Sequence, residues 1–185
     1  YREFLWSVSI NLYKISSYVI GSEIDGGFAE YVAARSSETF RINSDWSDVE
    51  LASIPCAYST AEGMLHRVNL KKEKVLITGA SGGVGSAAIQ LAKRRGAFVI
   101  AQCSKSKFEE IKKIGADEAV DRSENLINKL GANKIDVVVD LVAGSNWEKL
   151  LDILIPGGRY VTAGAIAGPI VDLDVRTLYL KDLTF

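Results

Sequence analysis

Two cysteines, three prolines, one methionine and one histidine are all that 185 residues hold of these types. Cys56 and Cys103 stand far apart with no CxxC pair, so neither a disulfide framework nor a zinc ribbon is available, and the usage fits a reducing compartment. His66, the one histidine, falls on a connecting helix, where histidine caps or packs more often than it ligates, and it is not assigned a proton relay. Neither sign of charge dominates: 22 basic against 23 acidic residues exclude a nucleic-acid footprint and a polybasic membrane patch. Apolar runs are broken by glycine, proline or charge well short of the roughly 18 residues of a spanning helix, and the N-terminus does not have the form of a signal peptide. A cytoplasmic protein with neither membrane nor nucleic acid as partner is expected. The length suits one large domain, or one domain and part of another. Because the chain opens on Tyr1 and stops at Asp182 to Phe185, in what reads as the start of a strand, it is read as part of a longer protein.

What is present is concentrated in Lys74 to Gly85, KVLITGASGGVG. Val75, Leu76, Ile77 and Thr78 form the apolar run of a parallel strand covered on both faces. Gly79, Gly82, Gly83 and Gly85 supply a turn, and Val84, Ala87, Ala88, Leu91 and Ala92 then recur with the period of a helix. Strand, glycine turn and helix start together cradle a pyrophosphate on free backbone N–H groups at a positive helix end. Against the GxGxxG fingerprint the three positions are Ala80, Gly82 and Gly85, with Gly83 and Val84 between them. The alternative is a glycine turn that only packs a helix on a strand.

Ahead of this block, Asp25 to Gly27 read as a turn, Phe28 to Ala34 as a strand, and Thr39 to Ile42 as another extended piece. Ser47 and Glu50 form a capping box that starts a helix near Asp48, with Pro55 as its stop, and a further helix runs to about Val68. Tyr1 to Val19 shows no clean period and is not placed. Beyond the glycine helix, strands are expected at 97–102, 118–121, 136–142 and 159–163, with helices at 105–114, 123–130 and 147–154. This alternation predicts an α/β fold, a doubly wound Rossmann-type parallel sheet, with the ligand at the carboxyl ends of the strands. Val142 after the fourth strand, and Gly164 and Ala165 after the fifth, are candidates on that rim. Residues 69–185 are assigned to the nucleotide domain and 1–68 to a more β-rich domain with the connecting helix.

About 20 residues past the glycines, a carboxylate would mark a free ribose 2′-hydroxyl. Here the sequence offers Ser104, Lys105, Ser106 and Lys107. Ser104 can donate to a 2′-phosphate and Lys105 and Lys107 can neutralise it, so NADP(H) is favoured over NAD(H). The alternative is that these lysines only sit in a solvated helix turn.

With KVLITGASGGVGSAAIQLAK, GGFAEYVAA, PCAYSTAEGM and LKDLTF all in place, the chain resembles the medium-chain dehydrogenase/reductase superfamily over Gly21 to Phe185. That superfamily joins zinc-type alcohol dehydrogenases to zinc-free quinone and enoyl reductases. The resemblance implies a GroES-like catalytic domain, of which residues 1–68 are part, with the nicotinamide in a cleft beside it. It implies that Cys56 matches a catalytic zinc ligand and that Thr60 matches a catalytic and cofactor-binding residue on the nicotinamide face. The alternative for Cys56 is a small buried apolar residue. No cysteine precedes Ile54, so the four-cysteine structural zinc loop of many zinc members has no counterpart here. The implied reaction is hydride transfer between NADP(H) and an alcohol, aldehyde or ketone on one catalytic zinc. The rivals are zinc-free reduction of a quinone, enone or acyl thioester C=C bond, and a non-catalytic NADPH-binding module. Pairing through the final strand, near Asp182, implies a homodimer or homotetramer.

Overall fold

The computed structural model describes residues 3–5 and 20–185. The chain divides into two compact units, Tyr1–Ser59 and Thr60–Phe185. The boundary lies inside the helix that precedes the expected division between residues 68 and 69.

In the first unit, β1 (Glu3–Leu5) and β2 (Thr39–Arg41) pair antiparallel, with Glu3 opposite Arg41 and Leu5 opposite Thr39. The extended piece expected at Thr39 is therefore present. The strand expected at Phe28 to Ala34 is not: that stretch takes no ladder among the described residues, and Phe28 and Tyr31 are exposed. Alternating side chains specify a strand only where a neighbour accepts the backbone groups and a core receives one face. A tight turn closes instead upstream, where the Gly21 N–H donates to the Ile24 carbonyl at 2.9 Å. Apart from residues 3–5, the stretch Tyr1 to Val19 lies outside the described residues.

Helix α1 (Asp48–Arg67) starts on the capping box read from the sequence. The Ser47 N–H donates to Glu50 Oε2 at 2.8 Å and the Glu50 N–H returns to Ser47 Oγ at 3.3 Å. The Ser47 hydroxyl, which donates to Glu50 Oε2 at 2.6 Å, and then the Ser47 N–H hold the Glu50 carboxyl below its ordinary pKa. Pro55 does not stop this helix but sits within it. An interior proline costs about 3 kcal/mol through its missing N–H and its clash with the preceding turn. Downstream, Ala61, Met64 and Leu65 of the same helix are buried, and one large apolar side chain contributes about 1.5 to 3 kcal/mol. Burial of that apolar face outweighs the local preference to break.

The second unit is built on β3 (Lys74–Ile77), whose Val75, Leu76 and Ile77 are wholly buried. Around it run α2 (Gly83–Arg94), β4 (Phe98–Cys103), α3 (Phe108–Lys113), β5 (Glu118–Asp121), α4 (Leu126–Leu130), β6 (Ile135–Asp140), α5 (Trp147–Ile153) and β7 (Leu154–Thr162). The strands form one parallel sheet in the order β5-β4-β3-β6-β7. The order reverses at β3, so the crevice at its carboxyl end is the switch point where such sheets take ligands. Leu76, Ile100 and Val138 pack with Trp147, Leu150, Leu151 and Leu154 in one buried cluster, while Ala87, Ala88, Ile89 and Ala92 of α2 are buried as well.

Several boundaries differ from expectation. The helix expected at 123–130 is shortened to α4, because Asp121 draws in the N–H and hydroxyl of Ser123 and keeps that turn extended. The fifth strand begins at Leu154 rather than Arg159, and its pairing with β6 shifts register between Ile135 and Val137 to admit Pro156, Gly157 and Gly158. A last helix, α6 (Val175–Leu180), precedes a short parallel bridge in which the Tyr160 N–H donates to the Thr184 carbonyl at 2.8 Å. Lys181 anchors this segment by donating to the carbonyls of Leu151, Asp152 and Leu154 at 2.8 to 2.9 Å.

Candidate dinucleotide site

The candidate site lies at the carboxyl end of β3. Gly79 takes φ +58°, which turns the chain out of the strand, and the Ala80 N–H donates to the Gln102 carbonyl of β4 at 3.1 Å. The Gly82 N–H folds back on the Gly79 carbonyl at 3.1 Å, and α2 begins at Gly83. Gly82 caps that helix without a side chain to satisfy it, so the N–H groups of its first turn are open to an outside acceptor.

The glycines of this turn serve different ends. A Cβ on Gly85 would lie 2.6 Å from the Ala80 Cα and 2.8 Å from the Ala80 carbonyl carbon, so packing of α2 against the turn requires glycine there. Gly82 has φ −79° and ψ 173°, which any residue adopts, and a Cβ there would meet only the Gly79 oxygen at 3.4 Å. The protein's own packing does not require glycine at Gly82, whose face is exposed. Gly83 is exposed and Val84 half-buried in the same helical turn.

On one side of this turn lies the start of the segment after β4. Ser104 Oγ stands 3.3 Å from Ser106 Oγ, and a 3-10 turn covers Lys105 to Lys107. Lys107 Nζ is held by both oxygens of Glu110 at 2.9 and 3.0 Å. The Lys105 N–H donates to Asp121 Oδ2 at 2.8 Å, so an acid does stand at this corner, on β5 rather than after β4. Its carboxyl is held below the usual range first by the Ser123 hydroxyl and N–H, and further by Lys105 and Arg122. Of the two lysines read as phosphate partners, Lys105 is exposed, while Lys107 shares its charge with Glu110.

On the other side, a Cβ on Gly79 would lie 3.2 Å from Val142 Cγ2. Val142 and its neighbours interlock with the loop after β7: the Ala167 N–H donates to the Val142 carbonyl at 2.9 Å, and a Cβ on Gly164 would lie 2.5 Å from the Leu141 oxygen. Gly164 is half-buried and Ala165 is exposed in that loop. The structure thus gathers Ala80, Gly82, Gly83, Val84, Gly85, Ser104, Lys105, Lys107, Val142, Gly164 and Ala165 around the carboxyl ends of β3, β4, β6 and β7. Thr60 is half-buried on α1 within the same unit. Cys56 belongs to the first unit and is exposed.

Asp140, Thr78 and Tyr160 form a further buried group not evident from sequence. Asp140 is wholly buried, accepts from Thr78 Oγ at 2.5 Å and from the Tyr160 hydroxyl at 2.6 Å, and lies beneath Val142. Burial, then the adjoining Asp140 carboxylate, push the Tyr160 hydroxyl far above its ordinary pKa. The signal available was the aspartate that closes the apolar run IDVVVD, since a charge at the buried end of a central strand requires partners.

These features define a Rossmann-type α/β domain. The chain belongs to the medium-chain dehydrogenase/reductase family: the profile of its zinc-binding dehydrogenase domain matches residues 83–185. A solved structure of a putative alcohol dehydrogenase from Sinorhizobium meliloti is 49% identical and superposes with a TM-score of 0.84 over 89% of this chain and 47% of that one. A mitochondrial NAD(P)H oxidoreductase of Danio rerio is 35% identical over 147 residues, 74% of this chain and 38% of that protein. The quinone oxidoreductase of Homo sapiens is 33% identical over 152 residues, 78% of this chain and 46% of that protein. The chain therefore spans about half or less of the length of these relatives. Among the described residues no helix is long and apolar enough to cross a membrane.

Proposed function

We propose that this chain is the nucleotide-binding part of an NADP(H)-dependent oxidoreductase that passes hydride between the nicotinamide and a small alcohol, aldehyde or ketone. The observation that carries the reading is the open first turn of α2 beside Gly82, a position where only an outside ligand requires glycine. The dinucleotide fits this donor set. N–H groups of the first helical turn, around Gly83, Val84 and Gly85, would take the pyrophosphate, and Ser104 and Lys105 the 2′-phosphate. The rim of Val142, Gly164 and Ala165 would hold the nicotinamide half. When bound, the cofactor supplies the hydride; the chain orients it and keeps water from the reacting carbon. Thr60, half-buried on α1, is the candidate to pack on the nicotinamide face.

Cys56 alone would supply one of the three protein ligands that a catalytic zinc takes, and among the described residues it joins no group of three His, Cys, Asp or Glu. No step is therefore routed through a metal. The alcohol and carbonyl substrate class is supported by the 49% identical structure, titled a putative alcohol dehydrogenase. A second reading, zinc-free reduction of the C=C bond of a quinone or enone, is supported by the similarity to quinone oxidoreductase. Elemental analysis of the full-length protein, with NADPH turnover on a panel of ketones, aldehydes and quinones, separates them. Zinc with ketone reduction supports the first, and quinone reduction without metal supports the second. Absence of NADPH turnover on the whole panel would sink both and leave a binding module. Assembly as a homodimer or homotetramer through the final strand near Asp182 belongs to the same proposal, and sedimentation of the full-length protein tests it.

A further inference from the structure

Asp140 sits at the end of a strand whose Val137, Val138 and Val139 are wholly buried, and it is itself without exposure. A carboxylate there is costly unless its lone pairs are met, and a core position of purely structural use is ordinarily filled by another apolar residue. Its partners are all neutral donors. Oδ1 receives the Thr78 hydroxyl at 2.5 Å and the Val142 N–H at 2.9 Å; Oδ2 receives the Tyr160 hydroxyl at 2.6 Å and the Ala143 N–H at 3.1 Å. A carboxylate offers about four lone-pair sites and no donor, so this set saturates it. An asparagine would turn an NH2 group toward two of those donors.

The four donors come from three places that must agree for a dinucleotide to bind. Thr78 immediately precedes Gly79 of the glycine turn, and its hydroxyl also accepts the Leu141 N–H at 2.9 Å. Val142 and Ala143 form the loop after β6, in which Ala143 is held at φ 53° and ψ −141°, a conformation that a non-glycine residue keeps only under constraint. Tyr160 lies on β7, which leads to Gly164, and its ring packs edge-on to Trp147 at 5.9 Å. The loop after β6 in turn clamps the loop after β7, because the Ala167 N–H reaches the Val142 carbonyl and a Cβ on Gly144 would lie 2.6 Å from the Ala167 oxygen.

We propose that Asp140 is a positioning residue for the dinucleotide: through Thr78 and the N–H groups of Val142 and Ala143 it sets the rim at 141–144 and 163–168 in register with the glycine turn. In a Rossmann sheet the adenosine lies toward the strand beside the first, here β4, so this rim faces the nicotinamide half. The proposal rests on the dinucleotide reading of the site. Asp140 touches no reacting atom in this account, and its effect passes through the backbone it holds.

The test uses the full-length protein with NADPH, in wild type, Asp140→Asn, Tyr160→Phe, Thr78→Val and Thr78→Ser. Lys181→Met, which releases three carbonyls at the end of α5, serves as a control that loosens the same unit away from the rim. NADPH affinity, the emission of bound nicotinamide and the melting temperature are read together. Wild type binds with enhanced nicotinamide emission. Asp140→Asn and Thr78→Val bind at least about tenfold more weakly and lose the enhancement, Tyr160→Phe loses part of it, and Thr78→Ser recovers it. Lys181→Met lowers the melting temperature with affinity kept. Should Asp140→Asn fail to fold, the Thr78 and Tyr160 variants decide the matter. Wild-type affinity and emission in Thr78→Val and Tyr160→Phe overturn the proposal, as does an equal loss of affinity in Lys181→Met. Failure of the wild type itself to bind NADPH overturns the dinucleotide reading, and this inference with it.

Discussion

Gly82 and Gly85 lie three residues apart in one turn, yet opposite consequences are expected when each gains a side chain. At Gly85 the new Cβ of Gly85→Ala would lie 2.6 Å from the Ala80 Cα, a backbone atom that cannot swing aside. Overpacking of this kind costs about 1 to 3 kcal/mol, and here the upper end applies because the turn itself must shift. Alanine returns roughly 1 kcal/mol of helix propensity, leaving a net loss of about 2 kcal/mol. For a chain of this size that lowers the melting temperature by roughly 4 to 8 °C. In Gly82→Val, by contrast, φ −79° is open to any residue and the nearest obstacle is 3.4 Å away, so stability changes by less than about 1 kcal/mol. What Gly82→Val loses is the approach of a pyrophosphate to the backbone, and NADPH binding should be abolished while the domain still folds. Thermal unfolding and NADPH fluorescence titration of both variants give the two readouts. Retained NADPH binding in Gly82→Val, or a melting temperature lowered as far as that of Gly85→Ala, would refute the assignment of the exposed face to a ligand.

Lys105→Glu should bring NADPH affinity down to or below that for NADH, a change in their ratio of about tenfold or more, whereas Lys107→Ala should act more weakly because Glu110 already engages that ammonium. Parallel titrations with the two cofactors check it. Asp117 is penalised by burial, but the Lys93 ammonium and the Val99 N–H at 2.7 Å outweigh that, so its folded pKa lies below the usual 3.8. A depressed carboxyl pKa stabilises the fold above the unfolded value and loses that contribution as pH falls through the folded value. Stability should therefore decline below about pH 4, less steeply in Asp117→Asn, as followed by denaturant midpoints across pH. If the full-length protein carries zinc, Cys56→Ser should lose about one equivalent per subunit along with alcohol oxidation; unchanged metal and activity would favour the quinone-reductase reading.

Much of the nucleotide unit was legible because its cues are local. A β-branched run, clustered glycines and a helical period sit side by side in Lys74 to Arg94, and each specifies its element without reference to the rest of the chain. The Ser47 and Glu50 capping box is legible for the same reason. Pro55 was misleading because the local rule it obeys is smaller in energy than the burial of Ala61, Met64 and Leu65. Phe28 to Ala34 misled in the other direction, since its alternation had no neighbouring strand among the described residues to act on. Asp140 could be singled out as a charge in an apolar run, but its partners come from β3, β7 and the loop beyond β6, and the pairing Thr78 to Asp140 to Tyr160 exists only once the sheet is assembled. The neutralisation of Lys107 by Glu110 was open to sequence, three residues along one helix face, and bears directly on how much of the cofactor preference rests on Lys105.

The central claim, a dinucleotide site at the carboxyl end of β3 with preference for the 2′-phosphate, is tested most directly by calorimetric titration of the full-length protein with NADPH and with NADH under one set of conditions. Saturable binding of about one NADPH per chain is expected, tighter than NADH by roughly 1 to 3 kcal/mol. Equal affinities would remove the role given to Ser104 and Lys105, and no saturable binding of either cofactor would contradict the site itself.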